Sequence, residues 1–287
     1  MLRLTSQSAM TAALERARDV TLVAYLLPRG PVFDALAAAA RRGARVIVRL
    51  EGNPYADARG GIRRLNQSVV QELARDGAEA RLVDADGKGE SLHAKAALID
   101  GALYVDDVNF SRGDSGTLLR DDSRSDAHAL RDAVAGRVDR PERDFAWRKR
   151  DALALEARTL AAARRRDDVI VETESVGSGN AVYSKLERLG RAGRSPRLLV
   201  SRHALTDKER RRLALLEANG VRVRVCASNE KFALAGHHAW IGSANATSAY
   251  YDPNQLDWGA NTRDRAIVAH LRARVESRWQ SARDLSA

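Results

Sequence analysis

Two rhythms of apolar residues alternate along this chain. Short, nearly continuous apolar runs, Asp19–Leu27 (DVTLVAYLL) and Asp168–Ser175 (DVIVETES), have the length and β-branched content of buried strands. Between such runs the apolar positions recur at helical spacing. In the first half, Ser6–Arg18 predicts an amphipathic helix, followed by the strand Asp19–Leu27, a helix Pro31–Arg42, a strand Arg45–Leu50, a helix Ile62–Asp76 and a strand Glu79–Val83. The second half repeats the order: helix Asp151–Arg166, strand Asp168–Ser175, helix Asn180–Ala192, strand Arg197–Arg202, helix Asp207–Asn219 and strand Val221–Val225. Gly77 and Gly220 follow corresponding helices, where a residue free of Cβ closes the last turn. Strands alternating with helices of this length predict an α/β fold, and the same order written twice predicts two similar halves. The polar, Pro-containing stretch around 136–150 is the expected linker between a first repeat, 1–135, and a second, 151–287.

Composition narrows the class without naming a partner. Of 287 residues, 44% are hydrophobic and 30% charged, which is the balance of a globular chain. The longest apolar runs, such as Val20–Leu27, are far too short to span a bilayer, and Met1–Met10 lacks the basic start and apolar core of a signal peptide. One cysteine, Cys226, cannot form an internal disulfide and is expected to be buried and inert; a reducing, cytoplasmic location is expected. The net charge of +10 favours acidic partners such as nucleic acid or anionic phospholipid, although the arginines are interspersed with acids.

The candidate chemistry lies where the third strand of each half ends. The first half reads Leu92-His93-Ala94-Lys95, then Asp100, Gly101 and Asp106-Asp107-Val108-Asn109; the second reads Asn229-Glu230-Lys231, then Gly236 and Gly242-Ser243-Ala244-Asn245. The two align without a gap. Residues two apart on a strand share a side, so His93 and Lys95 face one ligand together, and a tight turn at Gly101 would return Asn109 toward them.

This H-x-K-x4-D … G-S-x-N pattern resembles the phospholipase D superfamily, and the flanking elements extend the resemblance over nearly the whole chain. It implies an α/β fold of two pseudo-symmetric halves, each a mostly parallel or mixed sheet flanked by helices, with a single site shared between them. It also implies metal-independent hydrolysis of a phosphodiester, or phosphatidyl-type transfer, with no cofactor. His93 would attack phosphorus and carry a phosphohistidine; Lys95, Lys231, Asn109, Asn245 and Ser243 would hold the non-bridging oxygens; Asp100 would support them. The substrate would be anionic phospholipid or nucleic acid, and the protein a monomer built as a pseudo-dimer.

The departures from the pattern define the alternative. Asn229 stands where the family has its second histidine, Gly236 where it has its second aspartate, and Asp106-Asp107 where it has Gly-Ser. A degenerate protein that binds phosphate, nucleic acid or lipid without turnover fits those changes. His203 and Glu174, at strand ends, are the candidates for a substitute acid. Asp121 is expected to orient His93, with Asp257 in the equivalent place of the second half. His237 and His238 are expected at an exposed turn, His128 and His270 on the surface, and Trp240, Ile241 and Trp258 in the core. Tyr250-Tyr251 is either a substrate-entrance pair or a cap over the core.

Overall fold

The structure, a computed structural model, describes residues 2–55, 57, 60–84, 91–110, 116–137, 143–247 and 254–285. The chain divides into two compact units: Met1–Arg140 with Asn254–Asp257, and Pro141–Pro253 with Trp258–Ala287. A short segment from late in the chain thus belongs to the first unit.

In the first unit the elements run β1 (Leu2–Leu4), α1 (Gln7–Leu14), β2 (Asp19–Ala24), α2 (Pro31–Arg41), β3 (Arg45–Glu51), α3 (Gly61–Arg75), β4 (Glu79–Val83), β5 (Lys95–Ile99), β6 (Ala102–Asp106), β7 (Leu118–Asp121) and α4 (Arg124–Val134). They build a seven-stranded sheet in the order β1-β7-β6-β5-β2-β3-β4. The sheet is mixed. β2, β3 and β4 are parallel because helices carry the chain back between them, whereas β5, β6 and β7 run antiparallel. The reversal after β5 uses Asp100 (φ 48°) and Gly101 (φ 88°), two left-handed residues that make a two-residue hairpin. Leu22, Leu36, Val48, Leu50 and Leu73, all fully buried, join the helices to the sheet.

The second unit runs β8 (Phe145–Arg148), α5 (Lys149–Ala161), β9 (Val169–Thr173), α6 (Ala181–Arg191), β10 (Arg197–Ser201), a 3₁₀ turn (Arg202–Ala204), α7 (Asp207–Ala218), β11 (Arg222–Cys226), β12 (Phe232–Ala235), β13 (His238–Gly242), β14 (Leu256–Thr262), α8 (Arg265–Ser281) and β15 (Arg283–Asp284). Its eight-stranded sheet, β15-β11-β10-β9-β12-β13-β14-β8, repeats the strand order of the first, with β8 in the place of β1 and one strand, β15, added beyond β11. β8 lies inside the stretch expected as a linker. Phe145 and Trp147 are buried there, so this polar-looking segment is an edge strand on its apolar side. Trp240, Ile241 and Trp258 are core residues as expected. No helix among the described residues is long and apolar enough to cross a membrane.

Candidate active site

Register places the first-half residues. β2 pairs with β5 so that Ala24 faces Lys95, at the carboxyl end of β2, and Tyr25 follows. His93 sits just before β5, 5% exposed. It is held by the returning segment: its amide and that of Ala94 both donate to the Leu256 carbonyl (2.8 and 2.7 Å), and the Leu256 amide donates to Ser91. One residue on, Asp257 Oδ1 lies 2.8 Å from His93 Nδ1, and both side chains are buried. A carboxylate against Nδ1 fixes the proton there and leaves the lone pair on Nε2. The Nε2 atom faces Lys95 Nζ at 3.0 Å, and the same ammonium donates to the His93 carbonyl at 2.5 Å.

Asp257, not Asp121, is therefore the carboxylate on His93. Asp121 is buried in β7, and its Oδ1 accepts from the Ser123 amide ahead of α4. The expectation failed because Asp257 was read as a residue of its own half, whereas its segment bridges in parallel to Leu92 within the first unit.

Two tyrosines, absent from the sequence reading, complete the surroundings. Tyr25 packs edge-on to the His93 ring at 5.2 Å between centroids, and Lys95 Nζ lies over the Tyr25 ring. The Tyr55 hydroxyl is 3.3 Å from His93 Nε2. Glu51 ties these pieces together: its Oε1 accepts from the Asn53 amide and its Oε2 from the Leu92 amide, each at 2.6 Å. Burial pushes the Glu51 carboxyl up from its ordinary value, and these amide bonds pull it back toward the ionised form.

Asp100 is not at the site. It lies at the far end of β5, five residues past Lys95, which along a strand is on the order of 16 Å. Its Oδ1 accepts from the amides of Arg18 and Asp19 at 3.0 and 2.9 Å, so it pins the start of β2 to the hairpin. At the equivalent place in the second unit Gly236 (φ 61°) has no side chain, and an added Cβ would meet the Asp167 carboxylate at under 3 Å. A neighbouring carboxylate thus fills the space that the motif aspartate fills in the first unit. Loss of that aspartate is a change of turn chemistry, not of active-site chemistry.

Asp106 and Asp107 likewise face inward. Asp107 Oδ1 accepts from the Thr117 amide at 2.8 Å, and Gly116 packs so closely on both carboxyls that a Cβ would collide with them. Ser243, at the position of Asp107, accepts at Oγ from the Trp258 amide at 2.9 Å. Both residues serve the strand that follows them. Asn109 is half-buried, and its Oδ1 has no hydrogen-bond partner among the described residues.

The second unit groups Lys231, Asn245 and Glu174. Lys231 Nζ donates to the Asn229 carbonyl at 2.7 Å, as Lys95 does to that of His93. Glu174, in the register position of Tyr25, lies 3.5 Å from Lys231 Nζ and accepts from Asn245 Nδ2 at 3.3 Å. The Asn229 side chain accepts from Ser201 Oγ at 3.0 Å. Glu230 turns the other way, into ion pairs with Arg274 and Arg278. His203 is an exposed residue of the 3₁₀ turn, and its amide, not its ring, is bonded to Ser201. Cys226 is half-buried rather than buried, and burial pushes its thiol up to about 11. His237 and His128 are exposed, and His238 and His270 half-buried. Tyr250 and Tyr251 lie outside the described residues.

Residues 10–113 match the family model described as cardiolipin synthase, PLD-like domain. No curated protein sequence matches this chain. Among solved structures, the polyphosphate kinase of Porphyromonas gingivalis is 16% identical with a TM-score of 0.67, covering 96% of this chain and 46% of the kinase. The phosphatidylserine synthase of Haemophilus influenzae Rd KW20 is 8% identical with a TM-score of 0.66, covering 99% of this chain and 87% of the synthase. This chain spans about half the length of the kinase. At such identities the likeness is one of fold.

Proposed function

For this chain, whose residues 10–113 match a PLD-like domain, we propose metal-independent cleavage or transfer of a phosphodiester through a phosphohistidine on His93. The observation that supports it is the His93–Asp257 couple, buried and with Nε2 directed at Lys95.

In the first step the Nε2 lone pair forms a bond to phosphorus, and the bond from phosphorus to the leaving oxygen breaks with its electron pair. The imidazole gains positive charge, which Asp257 offsets through the Nδ1 proton it holds. Lys95 turns from Nε2 to a non-bridging oxygen and stabilises the charge there. In the second step water or an alcohol attacks phosphorus and gives its proton to solvent, and the N–P electron pair returns to Nε2. Asn229 is an amide, with no proton to give near neutral pH. General acid catalysis contributes on the order of 100- to 10,000-fold. The activity therefore favours leaving groups that depart unprotonated.

The same amide favours the second reading, a protein that binds a phosphate group without turnover. One experiment separates them. A nitrophenyl phosphodiester is offered with a chelator present, to wild type and to His93→Ala, and acid-labile, alkali-stable phosphate on the protein is sought. Turnover that survives chelation and disappears in His93→Ala supports the enzyme. A strict need for magnesium or zinc, or turnover independent of His93, removes it; phosphate binding without any turnover leaves the second reading.

A further inference from the structure

Two donors, not one, meet the atom that would attack phosphorus. Lys95 Nζ is 3.0 Å from His93 Nε2, and the Tyr55 hydroxyl is 3.3 Å from it. Because Asp257 accepts from Nδ1–H and keeps the proton there, Nε2 is the acceptor for both. Once Nε2 bonds to phosphorus its lone pair is used and it no longer accepts from either donor. The nearest replacements are the non-bridging oxygens, which surround phosphorus beside the attacking atom. We infer that Tyr55 is a catalytic residue whose hydroxyl donates to a non-bridging phosphoryl oxygen as the bond to His93 forms, an inference that rests on the reading above.

The fold places Tyr55 for this. Its ring lies against Tyr25 at 5.3 Å and near the His93 ring at 5.8 Å, while 62% of the residue stays exposed. It thus stands at the solvent side of the nucleophile, where a ligand must arrive. Described residues on either side of it are tied down. On one side Glu51 holds the Asn53 amide with one oxygen and the Leu92 amide, next to His93, with the other, so a single carboxylate sets the spacing between loop and nucleophile. On the other side Asp57 accepts from the Arg63 amide at 2.8 Å at the start of α3, and the Gly60 amide donates back to the Asp57 carbonyl. Nothing in the repeat supplies this hydroxyl: after Ser201, which takes the register position of Glu51, the second half runs Arg202-His203-Ala204-Leu205-Thr206 without a tyrosine.

The test uses the full chain as wild type, Tyr55→Phe, Tyr55→Ala and His93→Ala, with hydrolysis of bis(4-nitrophenyl) phosphate and calorimetric binding of orthovanadate, a mimic of five-coordinate phosphorus. Removing one donor to a developing oxyanion lowers kcat on the order of 100-fold. Tyr55→Phe is expected to show that loss with KM and thermal midpoint unchanged, and to bind orthovanadate roughly tenfold more weakly. If Tyr55→Phe keeps full kcat and vanadate affinity while Tyr55→Ala is impaired, the ring only packs and the inference is overturned. Failure of the phosphohistidine reading looks different: hydrolysis survives His93→Ala or is absent from wild type. The vanadate titration then decides alone. Weaker binding by Tyr55→Phe upholds the donor role; equal binding, or none by wild type, overturns it.

Discussion

Replacing Glu156 by glutamine isolates the effect of one buried charge. Glu156 lies on the inner face of α5, between Ala152, which packs on Gly259, and Thr159, whose hydroxyl donates to Asn261. Both its carboxyl oxygens are buried without a hydrogen-bond partner among the described residues, and burial pushes its pKa from 4.5 up to about 8. A carboxyl with a raised folded-state pKa keeps its proton where the unfolded chain has lost it. Its contribution to stability is full below about pH 4.5 and is lost as pH rises through about 8. Each pH unit in that window removes about 1.4 kcal/mol, so the native state gives up about 3 kcal/mol by pH 7 and about 4 by pH 8. Glutamine keeps the shape and has nothing to ionise. All four tryptophans, Trp147, Trp240, Trp258 and Trp279, belong to the second unit, so their fluorescence during urea unfolding reports on the part that contains Glu156. Wild type and Glu156→Gln should lie within about 1 kcal/mol at pH 5, the variant should lead by about 3 kcal/mol at pH 7, and the gap should widen at pH 8.5. A difference that does not change with pH would refute the reasoning, because it would mean that the carboxyl titrates at its ordinary value.

Three further outcomes follow from contacts already described. Asp257→Asn should lower kcat on the nitrophenyl diester by about 10²- to 10⁴-fold with little change in KM, since the wrong proton arrangement on His93 is then favoured; steady-state kinetics check this. Asp100→Ala removes the acceptor for two backbone amides and should lower unfolding stability by about 1–3 kcal/mol while activity per folded molecule is retained; denaturation and kinetics measured on one preparation separate the two. Cys226, with its thiol pushed up to about 11, should react with iodoacetamide at pH 7.5 far more slowly than free cysteine, and a rate near that of the free thiol would contradict its surroundings.

The parts of the fold legible in the sequence are those with strong local periodicity. β2-α2-β3-α3-β4 and its second-half counterpart appear at nearly their observed bounds, because long buried strands and helices with glycine past their ends carry their own signal. The antiparallel edges were less visible. β7 (LLRD) and β8 (FAWR) are four residues each and alternate weakly, and β14 (LDWGANT) mixes polar and apolar residues because different neighbours meet its two ends. His93 and Lys95 were legible from spacing. Asp257 was legible as a chemical type but not as His93's partner, since 164 residues separate the two. Tyr55 was invisible for a different reason: it belongs to no repeat and no motif, and only the loop fastened by Glu51 and Asp57 brings it to Nε2. Glu156 read as one more charged helix residue in an arginine-rich stretch, and only packing shows it buried.

The return of Asn254–Asp257 to the first unit has a consequence for how the protein is made. Synthesis delivers His93 well before its carboxylate: at about 5–20 residues per second, the 164 residues between them take on the order of 10–30 s. For most of that interval the strands of the first sheet have been made, yet the imidazole has neither Asp257 on Nδ1 nor the Leu256 carbonyl on its amide. A fragment ending near residue 140 is in the same condition permanently. In such a fragment His93 lacks the carboxylate that fixes its tautomer. The setting of His93 thus depends on a segment that the ribosome adds 164 residues later.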